Sequence, residues 1–318
     1  MPAGANGITH FDEAPDRVRE HGHIRARWTF LGEGAGSVGV GLRRIRIPAG
    51  GWSTPVHEHG REEEIFYVLA GTGLAWHAGR TAPVGPDDCI VFLARTGGHT
   101  LHAQSEELDV LAFGPRVQDE SLAFARIGAS IVGSRFVDTI PAASPERIPT
   151  QFIREATLGP PELPPDPGPR PRTIVSLADV EPRTVERPRI ARTRRNVGLA
   201  AGSRTTGLQH VDVVPGMLSA PLHCHSLEEE LFVVLAGGGT LLLGDDEFEM
   251  RPGHVVSRPA GTGVAHAFRA GPEGLRYLAY GTREPADICY YPTSNKINFG
   301  GVRVIGRIER LDYWDGED

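Results

Sequence analysis

Residues 62–71 read EEEIFYVLAG and residues 228–237 read EEELFVVLAG, differing only at Ile65/Leu231 and Tyr67/Val233. An apolar and aromatic run this short, opened by glutamates and closed by glycine, has the length of a strand rather than of a core helix. The likeness extends in both directions. At the same offset of 166 residues, Gly32 pairs with Gly198, Gly36-Ser37 with Gly202-Ser203, Gly41-Leu42 with Gly207-Leu208, and Pro55-Val56-His57 with Pro221-Leu222-His223. The second copy gains one residue after Gly71, and an offset of 167 then pairs His99 with His266 and LAFG (111–114) with LAYG (278–281). Two homologous units of roughly 100 residues follow, and self-similarity on this scale outranks any local reading.

Inside the units, strand-length runs are punctuated by Gly, Pro, Asp and Asn: Leu42–Ile47, Ile65–Leu69, Ile90–Leu93 and Leu108–Phe113, then Val211–Val214, Leu231–Leu235, Leu241–Leu243 and Leu275–Tyr280. No long segment has a 3.6-residue period, so an all-β fold is expected, a sandwich or barrel in each half. Asp119–Gly133 reads as a short helix. Residues 159–172, GPPELPPDPGPRPR, cannot form helix or ladder and read as a stiff extended linker. The expected order is an N-terminal arm with edge strands (1–35), a first barrel (36–118), a connection with the Pro-rich linker (119–172), a second barrel (173–282) and an aromatic tail (283–318). That tail, with Tyr290, Tyr291, Phe299, Tyr313 and Trp314, is expected to pair with a sheet edge or cover a barrel face, since exposure would invite aggregation.

The 318 residues are 40% apolar, ample for a core, and carry 40 acidic against 33 basic side chains, a net charge of −7. This balance opposes counterion-release binding, and nucleic acid is not an expected partner. Lys296 is the only lysine and lies in a polar turn, which removes Schiff-base and P-loop chemistry. Cys89, Cys224 and Cys289 are scattered and form no CxxC, so a reducing compartment fits better than a disulfide framework. No apolar stretch has the length of a span or leader, and a cytoplasmic protein with no membrane partner is expected.

Chemistry concentrates around one repeated spacing. His57 and His59 share a strand face by the period-two rule, Glu64 opens the next apolar run, and His99 opens another strand. The second unit repeats the set as His223, His225, Glu230 and His266. Three imidazoles and a carboxylate on neighbouring strands suit a divalent transition metal (Fe, Mn, Ni, Cu, Co or Zn), two per chain if both sets are filled, with coordination positions left for substrate. One such residue would be an ordinary surface group. Two copies with the same HxHxxxxE spacing are not, and burying four such groups unpaired would be costly.

These residues resemble the cupin superfamily, and the doubled unit resembles a bicupin. The first cupin motif reads here as Gly51-WSTPV-His57-Glu-His59-GREE-Glu64-IFYVLA-Gly71 and again as Gly216-MLSAPL-His223-Cys-His225-SLEE-Glu230-LFVVLA-Gly237. The second motif is looser: Gly253-HVVSR-Pro259-Ala-Gly261-TGVA-His266 in the later copy, with Asp87-Asp88, Leu93 and Arg95 ahead of His99 in the earlier one. The resemblance implies two tandem cupin-type double-stranded β-helix (jelly-roll) barrels, with those histidines and glutamates as metal ligands.

Other histidines compete poorly. His102 lies on the opposite strand face from His99 and pairs in the repeat with Arg269; His21 and His23 have Trp28 where the glutamate should stand and read as solvated; His77, His210 and His254 carry no spacing signal. Cys224, between two ligands, should point away from them. Phe66, Leu101, Phe232 and Phe268 share ligand faces and give an apolar wall. Arg43, Arg44 and Arg46 correspond to Gln209, His210 and Asp212, so an anion is expected to prefer the first pocket if these residues face inward.

Three functions fit these features. The apolar walls favour a dioxygenase-type oxidoreductase on a small organic substrate, with Glu64 and Glu230 as ligands that also take a proton. The alternative is a non-oxidative isomerase or decarboxylase; oxalate decarboxylases resemble this chain in carrying three histidines and one glutamate in both halves. The third is a non-catalytic small-molecule-binding barrel. A doubled barrel imitates a dimer within one chain, so a monomer and a homodimer are both compatible with the sequence.

Overall fold

The computed structural model describes residues 6–133, 135–138 and 150–317. The two repeats form two β-lobes. In the first, a seven-stranded sheet runs in the order Ile174–Ser176, Asp88–Phe92, Glu64–Ala70, Leu108–Pro115, Val40–Ile47, Ile24–Thr29, Asp16–His21, and packs on a three-stranded sheet of His99–Ala103, Gly73–His77 and Arg80–Val84. In the second, the order is Ile8–His10, His254–Arg258, Glu230–Leu243, His266–Thr282, Thr206–Val213, Ile190–Arg195, Arg183–Arg187, with Asp246–Met250 added on Glu230–Leu243.

The quoted strands are apolar on consecutive positions because both of their faces are buried. Phe66 and Val68 point into the core of the first lobe, while Ile65 and Tyr67 point into a third core shared by the two lobes. Phe232 and Val234, then Leu231 and Val233, do the same in the second lobe. The closing glycines are forced by geometry. Gly71 and Gly237 have φ of +77° and +68°, and a Cβ there would strike the carbonyl oxygens of Glu107 and Gly274.

The lobes also exchange edge strands. Ile8–His10 pairs with His254–Arg258 of the second lobe, Ile8 opposite Val256, and Ile174–Ser176 pairs with Asp88–Phe92 of the first, Ile174 opposite Ile90. Both pairings obey the 166-residue offset. The middle glutamate of each EEE triplet crosses the same boundary. Buried Glu63 accepts from the amides of Arg204, Thr205 and Thr206 at 2.7, 3.1 and 2.8 Å, and buried Glu229 accepts from those of Val38 and Gly39 at 2.8 and 2.5 Å.

Two local expectations are corrected. Asp119–Gly133 is not helical: Ser121–Phe124 and Ala129–Val132 form a hairpin around a 3-10 turn at Ala125–Ile127, closed by Gly128 at φ 60°. Leu122 and Ala123 pair with His59 and Glu58, so sheet pairing wins over local propensity. The eight-residue helix lies instead at Thr150–Thr157 and buries Phe152 in the first core. The Pro-rich linker forms neither helix nor strand and is tied down by Arg170 to Asp88 at 2.5 Å and by the Trp76 indole donating to the Glu162 carbonyl at 2.9 Å. The tail pairs Ile288–Tyr291 with Cys224–His225 and continues through Lys296–Phe299 to Val304–Arg307, but Tyr313 and Trp314 beyond it stay exposed against expectation. Among the described residues, no helix is long and apolar enough to cross a membrane.

Candidate metal centres

His57 and His99 face each other across an isolated antiparallel bridge, with amide–carbonyl distances of 3.3 and 2.9 Å. His59 sits on the short strand Glu58–His59, and Glu64 is the first residue of its strand, opposite Phe92. Three imidazole Nε2 atoms therefore surround one carboxylate oxygen: Glu64 Oε2 lies 3.1 Å from His99, 3.8 Å from His59 and 3.9 Å from His57. The Pro55 carbonyl, 3.0 Å from His57 Nδ1, turns the other ring nitrogen toward the centre, and Phe92 stacks on His99 at 4.1 Å. All four predicted residues come together, close enough to hold one cation.

The second lobe repeats this plan with more space. His223 and His266 form the same bridge, His223 Nδ1 meets the Pro221 carbonyl at 2.9 Å, and Glu230 Oε2 lies 3.0 Å from His266 Nε2 and 3.6 Å from His225 Nε2. Here the candidate ligands fall into two overlapping triads that share His223: His223, Glu230 and His266, and His223, His225 and Cys289.

The donor set fits a divalent first-row metal. Both ring nitrogens of His59, Nε2 of His225 and of His266, and Glu230 Oε2 are buried without hydrogen-bond partners. A bound cation would satisfy most of them, and nitrogen-rich sites with one oxygen donor suit such ions. The protonation states agree. Burial, then the neighbouring imidazoles, holds His57 down to about 3 and His223 down to about 4, so both lone pairs are free near neutrality. Burial alone would push the Glu64 and Glu230 carboxyls up, but the His99 hydrogen bond to Glu64, the close approach of His266 to Glu230 and the surrounding histidines bring both down to about 2.

Further carboxylates steady the outer nitrogens of His59 and His225. Asp287 Oδ2 meets His225 Nδ1 at 2.7 Å while Oδ1 accepts from the amides of Leu227 and Glu228; Glu120 approaches His59 Nδ1 at 3.5 Å and accepts from the amides of Gly60, Arg61 and Glu62. Sequence reasoning missed this pair. The 167-residue offset places Glu120 on Asp287, a like-charge match that would have exposed it.

The remaining predicted residues lie elsewhere. His102 stacks on Trp52 and bonds the Gly51 carbonyl, His77 packs on Phe92, His254 on His10, and His210 is buried beside Asp212. His21 and His23 are half-buried against Phe152 and Trp52 rather than solvated. Cys224 joins neither triad; Cys289, which carried no spacing signal, joins one.

Of the three arginines expected to favour an anion in the first pocket, only Arg43 lines the first-lobe cavity. Arg44 points away from the first pocket and pairs with Asp109 at 2.6 Å, and Arg43 lies over the rings of Trp28 and Phe30. In the second lobe Arg192 and Arg194 take the positions of Ala26 and Trp28, and with Gln209 they line a cavity of about 320 Å³ that also holds the four candidate ligands, Phe232, Phe268 and Tyr277. The deciding difference sits one strand earlier than the three arginines that drew attention. The first-lobe cavity is smaller, about 190 Å³, and includes His59, Glu64 and Arg43.

Two β-lobes, each closing an imidazole–carboxylate cluster between its strands, define a tandem-barrel protein with a candidate metal site in each half. The cupin-domain sequence profile matches residues 43–113 and 209–280, so the chain carries two tandem cupin domains, the arrangement of a bicupin. Among solved structures it is similar to oxalate decarboxylase from Bacillus subtilis at pH 4.6, with 17% identity, 88% of this chain and 77% of that one covered, and a TM-score of 0.55. It is likewise similar to an arginine-to-alanine point mutant of that enzyme, at 18% identity, coverage of 90% and 80%, and a TM-score of 0.57. A third structure, at 17% identity, coverage of 90% and 80%, and a TM-score of 0.56, concerns the Mn(II) centres of the same Bacillus subtilis enzyme. No curated protein sequence matches the chain.

Proposed function

We propose that this bicupin is a metal-dependent enzyme whose second lobe binds a small carboxylate and releases CO₂ from it without net oxidation. One observation carries the reading: Arg192 and Arg194 line the cavity of the candidate ligands, and no ion pair joins either to a carboxylate among the described residues. Burial, then the charge of Arg192, lowers the Arg194 pKa, a cost that a bound anion would relieve. The fold shared with oxalate decarboxylase and the Mn(II) of that enzyme are consistent with this reading, and manganese is the metal to test first.

A divalent ion held by His223, His225, Glu230 and His266 would supply Lewis acidity toward a chelating carboxylate. Arg192 and Arg194 bind and orient the substrate anion, and Phe232 and Phe268 keep water from the cavity wall. When the C–C bond breaks and CO₂ leaves, a proton must replace it on the remaining carbon. Glu230 is held too low to carry that proton near neutrality, so its place is as a ligand. Glu228 lines the same cavity and burial pushes its carboxyl up, which makes it the proton carrier in this scheme.

The test is CO₂ release from oxalate and other small carboxylates by manganese-loaded protein under anaerobic conditions. Arg192→Ala and Arg194→Ala are expected to raise KM at least about tenfold, the loss of a charge-assisted contact, with a smaller change in kcat. Oxygen consumption on catechols or diketones with no anaerobic CO₂ release would overturn the reading and restore the dioxygenase one.

A further inference from the structure

Position for position, the two centres also differ on the hairpin that leans over the HxH segment. Leu122 stands opposite His59 in the first lobe, and Cys289 stands opposite His225 in the second. The same hairpin carries Phe124 near His57 at 6.2 Å in one lobe and Tyr291 stacked on His223 at 5.9 Å in the other. Paired residues of an antiparallel ladder project to the same side, so Cys289 shares the face of His225. It lines the second cavity, and a set of candidate ligand atoms on His223, His225 and Cys289 lies within 4.8 Å of one another. Atoms bound to one ion at about 2.0–2.3 Å fall within that spread.

The cavity also holds an unsatisfied donor set independent of the cysteine. His266, 3% exposed, has no hydrogen-bond partner at Nε2, and neither has His225 at Nε2. The wider second centre thus has buried imidazole nitrogens in want of a cation and, beside two of its histidines, a soft donor that the first centre lacks.

We propose that Cys289 is a thiolate ligand of the second-lobe metal together with His223 and His225, so that the two lobes offer different donors: three histidines and a glutamate in the first, and in the second two histidines and a sulfur beside the triad of His223, Glu230 and His266. Ligation replaces the S–H bond with a sulfur–metal bond and passes the proton to solvent. The added donor shifts the second site toward thiophilic ions such as zinc, while the first keeps the preference of a nitrogen–oxygen site. The inference rests on the reading that the second lobe holds a divalent metal.

Cobalt(II) tests both statements on the full-length chain. Metal-free protein titrated with cobalt is expected to bind two ions and to develop a near-ultraviolet thiolate-to-cobalt charge-transfer band that saturates with one of them. The band should persist in His57→Ala, vanish in Cys289→Ser with both ions still bound, and be unchanged in Cys224→Ser. Stoichiometric cobalt binding in the second lobe without the band, or a band surviving Cys289→Ser, overturns the thiolate ligand and leaves the metal site standing. No cobalt binding sensitive to His223→Ala overturns both.

Discussion

Glu62, Glu63 and Glu64 are chemically the same residue three times over, and burial with partners gives each a different role. Glu64 faces three imidazoles, Glu63 crosses to the other lobe, and Glu62 accepts from the Val117 amide at 2.7 Å near His59. The candidate ligands were legible because the spacing occurs twice; the roles of their neighbours depend on strand parity and on which lobe lies behind. The ligand assignment has a direct outcome: elemental analysis of the purified protein should find close to two metals per chain, and His57→Ala or His223→Ala should each remove one. Unchanged occupancy in both variants would sink it. Protonation gives a second outcome. His57 and His223, ordinarily near 6.5, are held at about 3 and about 4 in the fold, so the unfolded chain binds more protons across that window and acid favours unfolding. Glu64 and Glu230, held near 2 against an ordinary 4.5, act in the same direction below pH 4.5, while the raised pKa of His225 opposes it. The thermal midpoint of metal-free protein should therefore rise between about pH 4 and pH 6.5, and a flat or falling profile by calorimetry would refute the neutral-imidazole cluster.

At the scale of elements, the strands that carry the ligands were readable from apolar runs and turn residues, whereas the covering pieces were not. The hairpin Ser121–Phe124 and Ala129–Val132 exists because it pairs with Glu58–His59, a contact remote in sequence. The helix Thr150–Thr157 has only two turns, too short to announce itself by period, and is held by tertiary contacts. Phe152 packs on Trp28 and His21 at 5.9 and 5.6 Å, and the fully buried Glu155 carboxylate takes the Arg126 guanidinium. The second lobe has Arg194 where Trp28 stands, so one interior is filled with aromatic carbon and the other left open and cationic. Phe152→Ala should cost about 3–5 kcal/mol as a cavity in the first core, read as a lower urea midpoint, while metal content stays at the wild-type level. Loss of the first-lobe metal in this variant would show instead that the helix shapes the centre.

On the scale of the whole molecule, doubling has produced one folding unit rather than two beads. Each lobe completes its neighbour's sheet, through Ile8–His10 and Ile174–Ser176, and caps its neighbour's turn, through Glu63 and Glu229. Between them lies a common core in which Leu42, Ile65, Tyr67 and Phe113 meet Leu208, Leu231, Val233 and Tyr280, with Phe113 and Tyr280 at 5.0 Å. Separating the lobes would bare this apolar surface and strand the carboxylates of Glu63 and Glu229 away from their amide donors, both costly for buried groups. A single calorimetric transition is therefore expected, and His57→Ala, expected to empty one lobe of metal, should lower that one midpoint rather than split it. The linker offers a sharper form of the same test. A protease site placed within residues 159–172 and then cut should leave two fragments that co-elute in size exclusion and keep nearly the intact midpoint, because the exchanged strands and shared core survive the cut. Two folded fragments eluting apart, or two resolved transitions, would mean that the exchange is incidental and each barrel is a domain in its own right.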